Sequence, residues 1–327
     1  KYIWWGWLFA LLFAFVIHLF TLDTLPHLQQ DEAQITDYGR LIVNPGSDWS
    51  VTWLVTEEKP IMLWSYVGPL LAEAGYQLGG GSGLGTRVVS LVGGLFAATM
   101  ALGWLIARKV PLYPAWWLSL AFLLDPLFVY SQRMGRVDTW AIACCIASCW
   151  LLRISNSKKD RRLLRACVFT SGALTVIAAF IWPSSILLFP LICLELFTLI
   201  RVRKIFREHN WKIALLPTFH FIAGGLIMTV LLIIPIWRSL LMILTDMSSM
   251  IELNVETSRT IPERLLEVFN YRHWFKLIKL LAKTFTPIFP ILALMGAFLA
   301  RDRKLVFVSL SAVALVFGTL VYEFRVL

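Results

Sequence analysis

Hydrophobic and polar positions along this chain alternate in long blocks rather than residue by residue. Apolar stretches over 2–22, 88–107, 113–129 and 213–237 reach or approach about 20 residues, the length at which a helix crosses the hydrocarbon core of a bilayer. Strands that alternate polar and apolar positions are not seen, so helices rather than a closed barrel must satisfy the backbone in lipid. The blocks predict about nine crossings, at 2–22, 86–107, 113–130, 137–152, 166–181, 184–200, 213–236, 279–300 and 305–322. The segment 2–20 is too long for the core of a signal peptide and lacks a small-residue cleavage site, so it reads as a retained first helix.

Basic residues fall between these blocks. Arg108-Lys109, the stretch 153–165 with Lys158, Lys159, Arg161 and Arg162, the stretch 201–212 with Arg203, Lys204 and Arg207, and the run from Arg301 to Lys304 all come to one side when crossings alternate. The positive-inside rule makes that side cytoplasmic. The other side receives 23–85, 131–136, a tight Trp182-Pro183 turn and 237–278. The apolar stretch 61–78 is a rival tenth crossing, but counting it would place every later basic cluster outside. It also carries Glu73 and Gly68-Pro69, and so reads as a helix lying at the membrane surface or re-entering it. The expected architecture is therefore an all-α polytopic membrane protein, a single transmembrane domain over 1–327. Its long first external loop, 23–85, carries interfacial helices and the main concentration of acid: Asp23, Asp31, Glu32, Asp37, Asp48, Glu57 and Glu58.

Composition sharpens this picture. At 58% hydrophobic and a mean hydropathy of +0.73, the chain exceeds the 45–50% apolar content of soluble domains. A net charge of +10 raises nucleic acid as a partner, but its placement between apolar blocks fits orientation and contact with anionic lipid instead. The cysteines Cys144, Cys145, Cys149, Cys167 and Cys193 lie in hydrophobic stretches with no C-x-x-C pair, and read as small packing residues. The chain starts at Lys1 rather than Met and ends just after an apolar stretch, as expected of a piece of a longer protein.

Three clusters could carry chemistry. In 29–40, just after the first helix, Asp31-Glu32 is an adjacent carboxylate pair at the membrane–water boundary. Such a pair suits a general base or a divalent-cation ligand, and equally a solvated helix start favoured by the helix dipole. In Glu57-Glu58-Lys59-Pro60, Lys59 abuts an apolar run and either snorkels or binds a phosphate at headgroup depth. In 130–139, Arg133 and Arg136 stand against the charge bias of the outer side, at a spacing of one helical turn that suits a phosphate. Asp138 pairs with one of them or caps the next helix, and Arg87 enters its helix from the same side. The glycine-rich 79–85 lacks the Gly-Lys-Ser/Thr of a phosphate loop and reads as a flexible joint. His18 inside the first helix reads as packing, and Asp125-Pro126 ends a helix near the outer surface and reads as structural.

Taken in order, these elements resemble the GT-C class of polyprenyl-phosphate-sugar glycosyltransferases, above all the protein O-mannosyltransferase branch and the aminoarabinose transferase of lipid A. The resemblance covers residues 1 to about 200. It runs from Asp31-Glu32, with Tyr38 and Arg40 downstream, through Lys59-Pro60 and Gly85-Thr86-Arg87, to Asp125-Pro126-Leu127-Phe128, Arg133 and Arg136-Val137-Asp138. It departs from the pattern where Ile61 stands in place of a second proline, and beyond about residue 200 little is recognisable.

The resemblance implies transfer of a sugar from a polyprenyl phosphate to a lipid, glycan or protein acceptor. The reaction would occur on the extracytoplasmic face of a bacterial inner membrane. It implies Asp31 as general base with Glu32 beside it, donor-phosphate binding by Lys59, Arg87, Arg133 and Arg136, and support from Tyr38, Arg40 and Asp138. A metal requirement stays open, with a divalent cation as the candidate and no other cofactor implied. A single displacement assisted by a base would invert the anomeric centre. The rival from another class is a transporter or flippase of a lipid-linked or small anionic substrate. Such proteins tend to show internal repeats and broken helices near the bilayer midplane, whereas this chain has no visible repeat and gathers its unusual charges at one interface.

Overall fold

A computed structural model describes residues 2–23, 27, 30–44, 55–56, 59–60, 65–156, 160–206, 211–239 and 275. The chain divides into two compact units, Lys1–Ile243 and Leu244–Leu327. In the second unit only Phe275 is described, so the crossings expected at 279–300 and 305–322, and nearly all of the loop 237–278, lie outside the described residues.

The first unit is built of helices: α1 (Tyr2–Phe20), α2 (Gln30–Val43), α3 (Val67–Leu78), α4 (Gly83–Ala107), α5 (Leu112–Leu123), α6 (Pro126–Arg133), α7 (Asp138–Ser155), α8 (Arg161–Ile181), α9 (Phe189–Phe206) and α10 (Trp211–Ile233). Between α2 and α3 a two-residue strand Val55–Thr56 pairs antiparallel with Lys59–Pro60. Five helices are long and apolar enough to cross a membrane, spanning Gly83–Ala107, Asp138–Ser155, Arg161–Ile181, Pro183–Val202 and Leu215–Trp237. Trp4–Phe20 and Leu112–Leu123 are shorter apolar helices. The protein is thus a helical membrane protein. α1 and α10 turn large apolar side chains outward, among them Phe9, Phe13, Phe219 and Val230, as a face solvated by lipid tails does.

The expected third crossing, 113–130, is not one helix. α5 stops at Leu123 and α6 restarts at Pro126. Pro126 has no N–H to continue the ladder, and the Asp125 carboxylate accepts from the Phe128 N–H at 3.1 Å, beginning the new helix. The glycine-rich 79–85 is likewise no loose joint. Gly80 and Gly81 take left-handed φ values of 69° and 80°, closing a tight turn that lays α3 against the start of α4. There a Cβ on Gly85 would collide with the Gly75 carbonyl. α3 has 12 residues, about 18 Å of helix, which is too short to span the core. The reading of 61–78 as a non-crossing helix agrees with this length, although 61–64 lie outside the described residues.

Packing follows the membrane rule that small residues let backbones meet. α8 and α10 touch where a Cβ on Gly172 would strike the Phe221 carbonyl and one on Gly224 the Phe169 carbonyl. Ser148 of α7 hydrogen-bonds Ser171 at 2.6 Å and Thr175 at 3.0 Å on α8, a hydroxyl staple in the interior. Cys145, Cys149, Leu152, Val168, Ile192 and Leu199 close the core around it. None of the five cysteines is in a disulfide, and Cys145, Cys149 and Cys167 are buried, consistent with packing roles.

Gly172→Leu should therefore prise α8 from α10 and sharply lower the melting temperature in detergent. Gly6→Leu, where nothing lies within 4 Å of an added Cβ, should leave it unchanged. Equal tolerance of both substitutions would contradict this packing.

Candidate functional site

The two ends of α4 carry opposite kinds of chemistry, about 37 Å apart along 25 residues of helix. At its C-terminal end, Arg108 and the Trp104 indole N–H bond Glu195 of α9, with Arg153 of α7 at 3.6 Å. Glu195 is 1% exposed. One buried acid thus ties together the helix ends that bear the basic loops. Glu195 was not singled out by its surroundings in sequence. An isolated acid inside an apolar block was the signal, since such a charge needs a partner at membrane depth.

The candidate residues gather at the other end. Arg87, on the first turn of α4, reaches α2 and grips Glu32 with two bonds, Nε to Oε1 at 2.6 Å and Nη2 to Oε2 at 2.9 Å. Its Nη1 donates to the Leu22 carbonyl at 2.6 Å, closing the end of α1. Glu32 is 2% and Arg87 5% exposed, so this is a buried bidentate pair. The turn after α6 presses onto it. Gly135, at φ +63°, lies so close that a Cβ there would sit 2.6 Å from Glu32 Oε1.

That turn separates Arg133 from Arg136. The spacing of one helical turn suggests a shared phosphate grip, but helix α6 ends at Arg133 and the left-handed Gly135 intervenes. Arg133 donates to His18 Nδ1 at 3.2 Å and to the Thr21 carbonyl and hydroxyl at 2.6 and 2.8 Å. His18 therefore accepts at Nδ1 as a neutral imidazole. Arg136 instead pairs with Asp138 at 2.6 Å and lies 5.5 Å over the Trp182 ring. The Ser90 hydroxyl donates to the Arg136 carbonyl, holding the turn onto α4.

The α2–α3 layer completes this end. Arg40 bonds Glu73 through both Nε and Nη2 at 3.4 Å, lies 3.8 Å from Asp37 and stacks 4.2 Å from the Tyr76 ring centroid. A Cβ on Gly39 would meet the Pro69 carbonyl, so the two helices touch backbone to backbone. Burial raises the Asp37 carboxyl above the usual range; the Arg40 charge opposes this and Glu73 adds to it. Burial also pushes the Tyr38 phenol well above its ordinary value.

Asp31 stands in the first turn of α2 beside Glu32, and Lys59 in the short strand pair. The side chains of both lie outside the described residues. The structure thus brings Glu32, Arg87 and the 133–136 turn together, and directs Arg40 toward α3. Among the described residues, no group of three His, Cys, Asp or Glu side chains could hold a metal ion.

Breaking one partner of a buried pair strands the other charge, at a cost of about 3–5 kcal/mol. Glu32→Ala and Arg87→Ala should each strongly lower the melting temperature. The double variant should fall well short of their sum, with a coupling of about 0.5–3 kcal/mol. Additive losses in that double-mutant cycle would show that the pair does not act as a unit.

No family model, curated protein or solved structure matches the chain.

Proposed function

We propose that this protein is a membrane glycosyltransferase of the GT-C kind. It takes a sugar from a polyprenyl-phosphate carrier and attaches it to a lipid, glycan or protein acceptor on the extracytoplasmic face of a bacterial inner membrane. The observation that carries the reading is the convergence, at the end of the bundle away from the basic helix ends, of α2 with its Asp31-Glu32, Arg87 and the Arg133–Arg136 turn. Nine crossings and an external loop over 23–85 belong to the same reading.

The chemistry needs two functions. A base must take the proton of the acceptor hydroxyl as it attacks the anomeric carbon, and cations must stabilise the departing lipid phosphate. In this reading Asp31 is the base. Glu32, whose carboxylate is already neutralised by Arg87, holds α2 against α4 and so fixes where Asp31 stands. Arg87 spends its Nε, Nη1 and Nη2 donors on Glu32 and Leu22, so its part is chiefly to position. Lys59, Arg133 and Arg136 supply phosphate contacts. Arg133 is oriented by His18 and Thr21, and Arg136 by Asp138 and Trp182. Attack in one displacement inverts the sugar.

The test is transfer of radiolabel from polyprenyl-phosphate sugars to a cell-envelope acceptor extract by purified protein. Asp31→Asn is expected to abolish transfer while the melting temperature stays the same, and Lys59→Ala to weaken donor binding with less effect on turnover at saturation. Normal turnover in Asp31→Asn would remove that residue from catalysis. Absence of transfer from every donor by folded, full-length protein would favour a transporter or flippase instead.

A further inference from the structure

Helix α2 divides its polar side chains sharply. On one side the described groups are engaged: Glu32 with Arg87, Thr36 Oγ1 with the Glu32 carbonyl, Asp37 with Arg40, and Arg40 with Glu73. On the other, Gln34 Oε1 and the Tyr38 hydroxyl are buried. The residues are 4% and 5% exposed, and among the described residues neither atom has a hydrogen-bond partner. Buried polar atoms are overwhelmingly paired, so two orphans on one helix need a reason. Their positions are four apart, which puts them on one helical face with about 5–6 Å between Cβ atoms. Position 31, three residues before Gln34, belongs to the same face.

We propose that Gln34 and Tyr38 form a recognition site for the hydroxyl groups of the sugar on the lipid carrier, next to the position of Asp31. This inference rests on the transferase reading above. The chemistry of the pair selects the ligand. An amide offers an acceptor and a donor, and a phenol offers both roles, so the two suit neutral hydroxyls on one edge of a pyranose or furanose ring. Neither carries positive charge, so a phosphate gains little here and is left to the arginines and Lys59. The phenol stays protonated throughout the physiological range because burial raises its pKa. A site built for a substrate hydroxyl leaves its own groups unpaired when that hydroxyl is missing, and so discriminates between ligands with and without it. Gln34 and Tyr38 would then select the sugar, whereas the cations hold any polyprenyl phosphate.

The experiment measures binding to the full chain in detergent of undecaprenyl phosphate, bare and carrying mannose, glucose or 4-amino-4-deoxyarabinose. Wild type should prefer a sugar-bearing carrier over the bare one. Tyr38→Phe and Gln34→Met should each reduce affinity for that carrier about three- to tenfold, the worth of one neutral hydrogen bond, and leave affinity for bare carrier unchanged. Both substitutions delete an unsatisfied polar atom, so the ligand-free melting temperature should hold or rise. Retention of the full sugar preference in both variants would overturn the site while leaving the transferase reading intact. A fall in the ligand-free melting temperature of both would also overturn it, by showing the groups to be engaged within the protein. Failure of wild type to bind either form of the carrier would overturn the transferase reading, and the site with it.

Discussion

A charge withdrawn from water must find its opposite, and the described bundle is arranged around two places where it does. At one end Glu32 meets Arg87 with two short bonds, and at the other Glu195 meets Arg108 with Arg153 nearby. Neither pair is a strong source of net stability, because desolvation consumes much of the Coulombic gain. What such pairs supply is register. A buried glutamate on α2 paired to one arginine on α4 fixes how a short, weakly apolar helix docks on a long transmembrane one. The third guanidinium contact, to the Leu22 carbonyl, brings the end of α1 to the same point.

Secondary features become consequences of that docking. Gly135 is left-handed and without a side chain where the turn passes over the Glu32 carboxylate, and Gly39 lets α2 lie directly on Pro69 of α3. Arg40 then has Glu73 within reach, so one ion pair holds α2 to α3 and a separate one holds α2 to α4 of the membrane bundle. A sugar-transfer reading benefits from this rigidity, since a base on α2 is useful only if held to within a fraction of an ångström of the attacking hydroxyl.

Much of this was legible in the chain. Apolar block length found α4, α7, α8, the Pro183–Val202 span and α10, and the distribution of lysine and arginine separated the two ends. The non-crossing character of α3 followed from charge parity, and its 12 residues agree. Asp125-Pro126 was legible as a helix end, but the apolar block 113–130 was drawn across it as one crossing, because block hydropathy does not register the missing proline N–H to which the backbone responds. Pairing was the other hidden quantity. Glu32, Arg87, Arg133 and Arg136 were visible as unusual charges, but sequence spacing could not show that Arg87 would be committed to Glu32 or that Gly135 would send the two later arginines to different neighbours. The Arg87 and Arg133 contacts lie 55 and 115 residues apart in the chain, whereas the Arg136–Asp138 pair is local and was among the pairings the sequence offered.

The Glu195 cluster bears on how the protein is made. Residues 108 and 153 precede 195 in synthesis, so both guanidinium groups emerge with their helices before the acid does. A lone charged residue at the centre of an inserting helix costs about 2.5–3.5 kcal/mol on translocon scales. When α9 is made, the two arginines that face its acid have already been synthesised. The buried acid of α9 thus finds its partners on two helices that come earlier in the chain, so its neutralisation draws only on residues made before it.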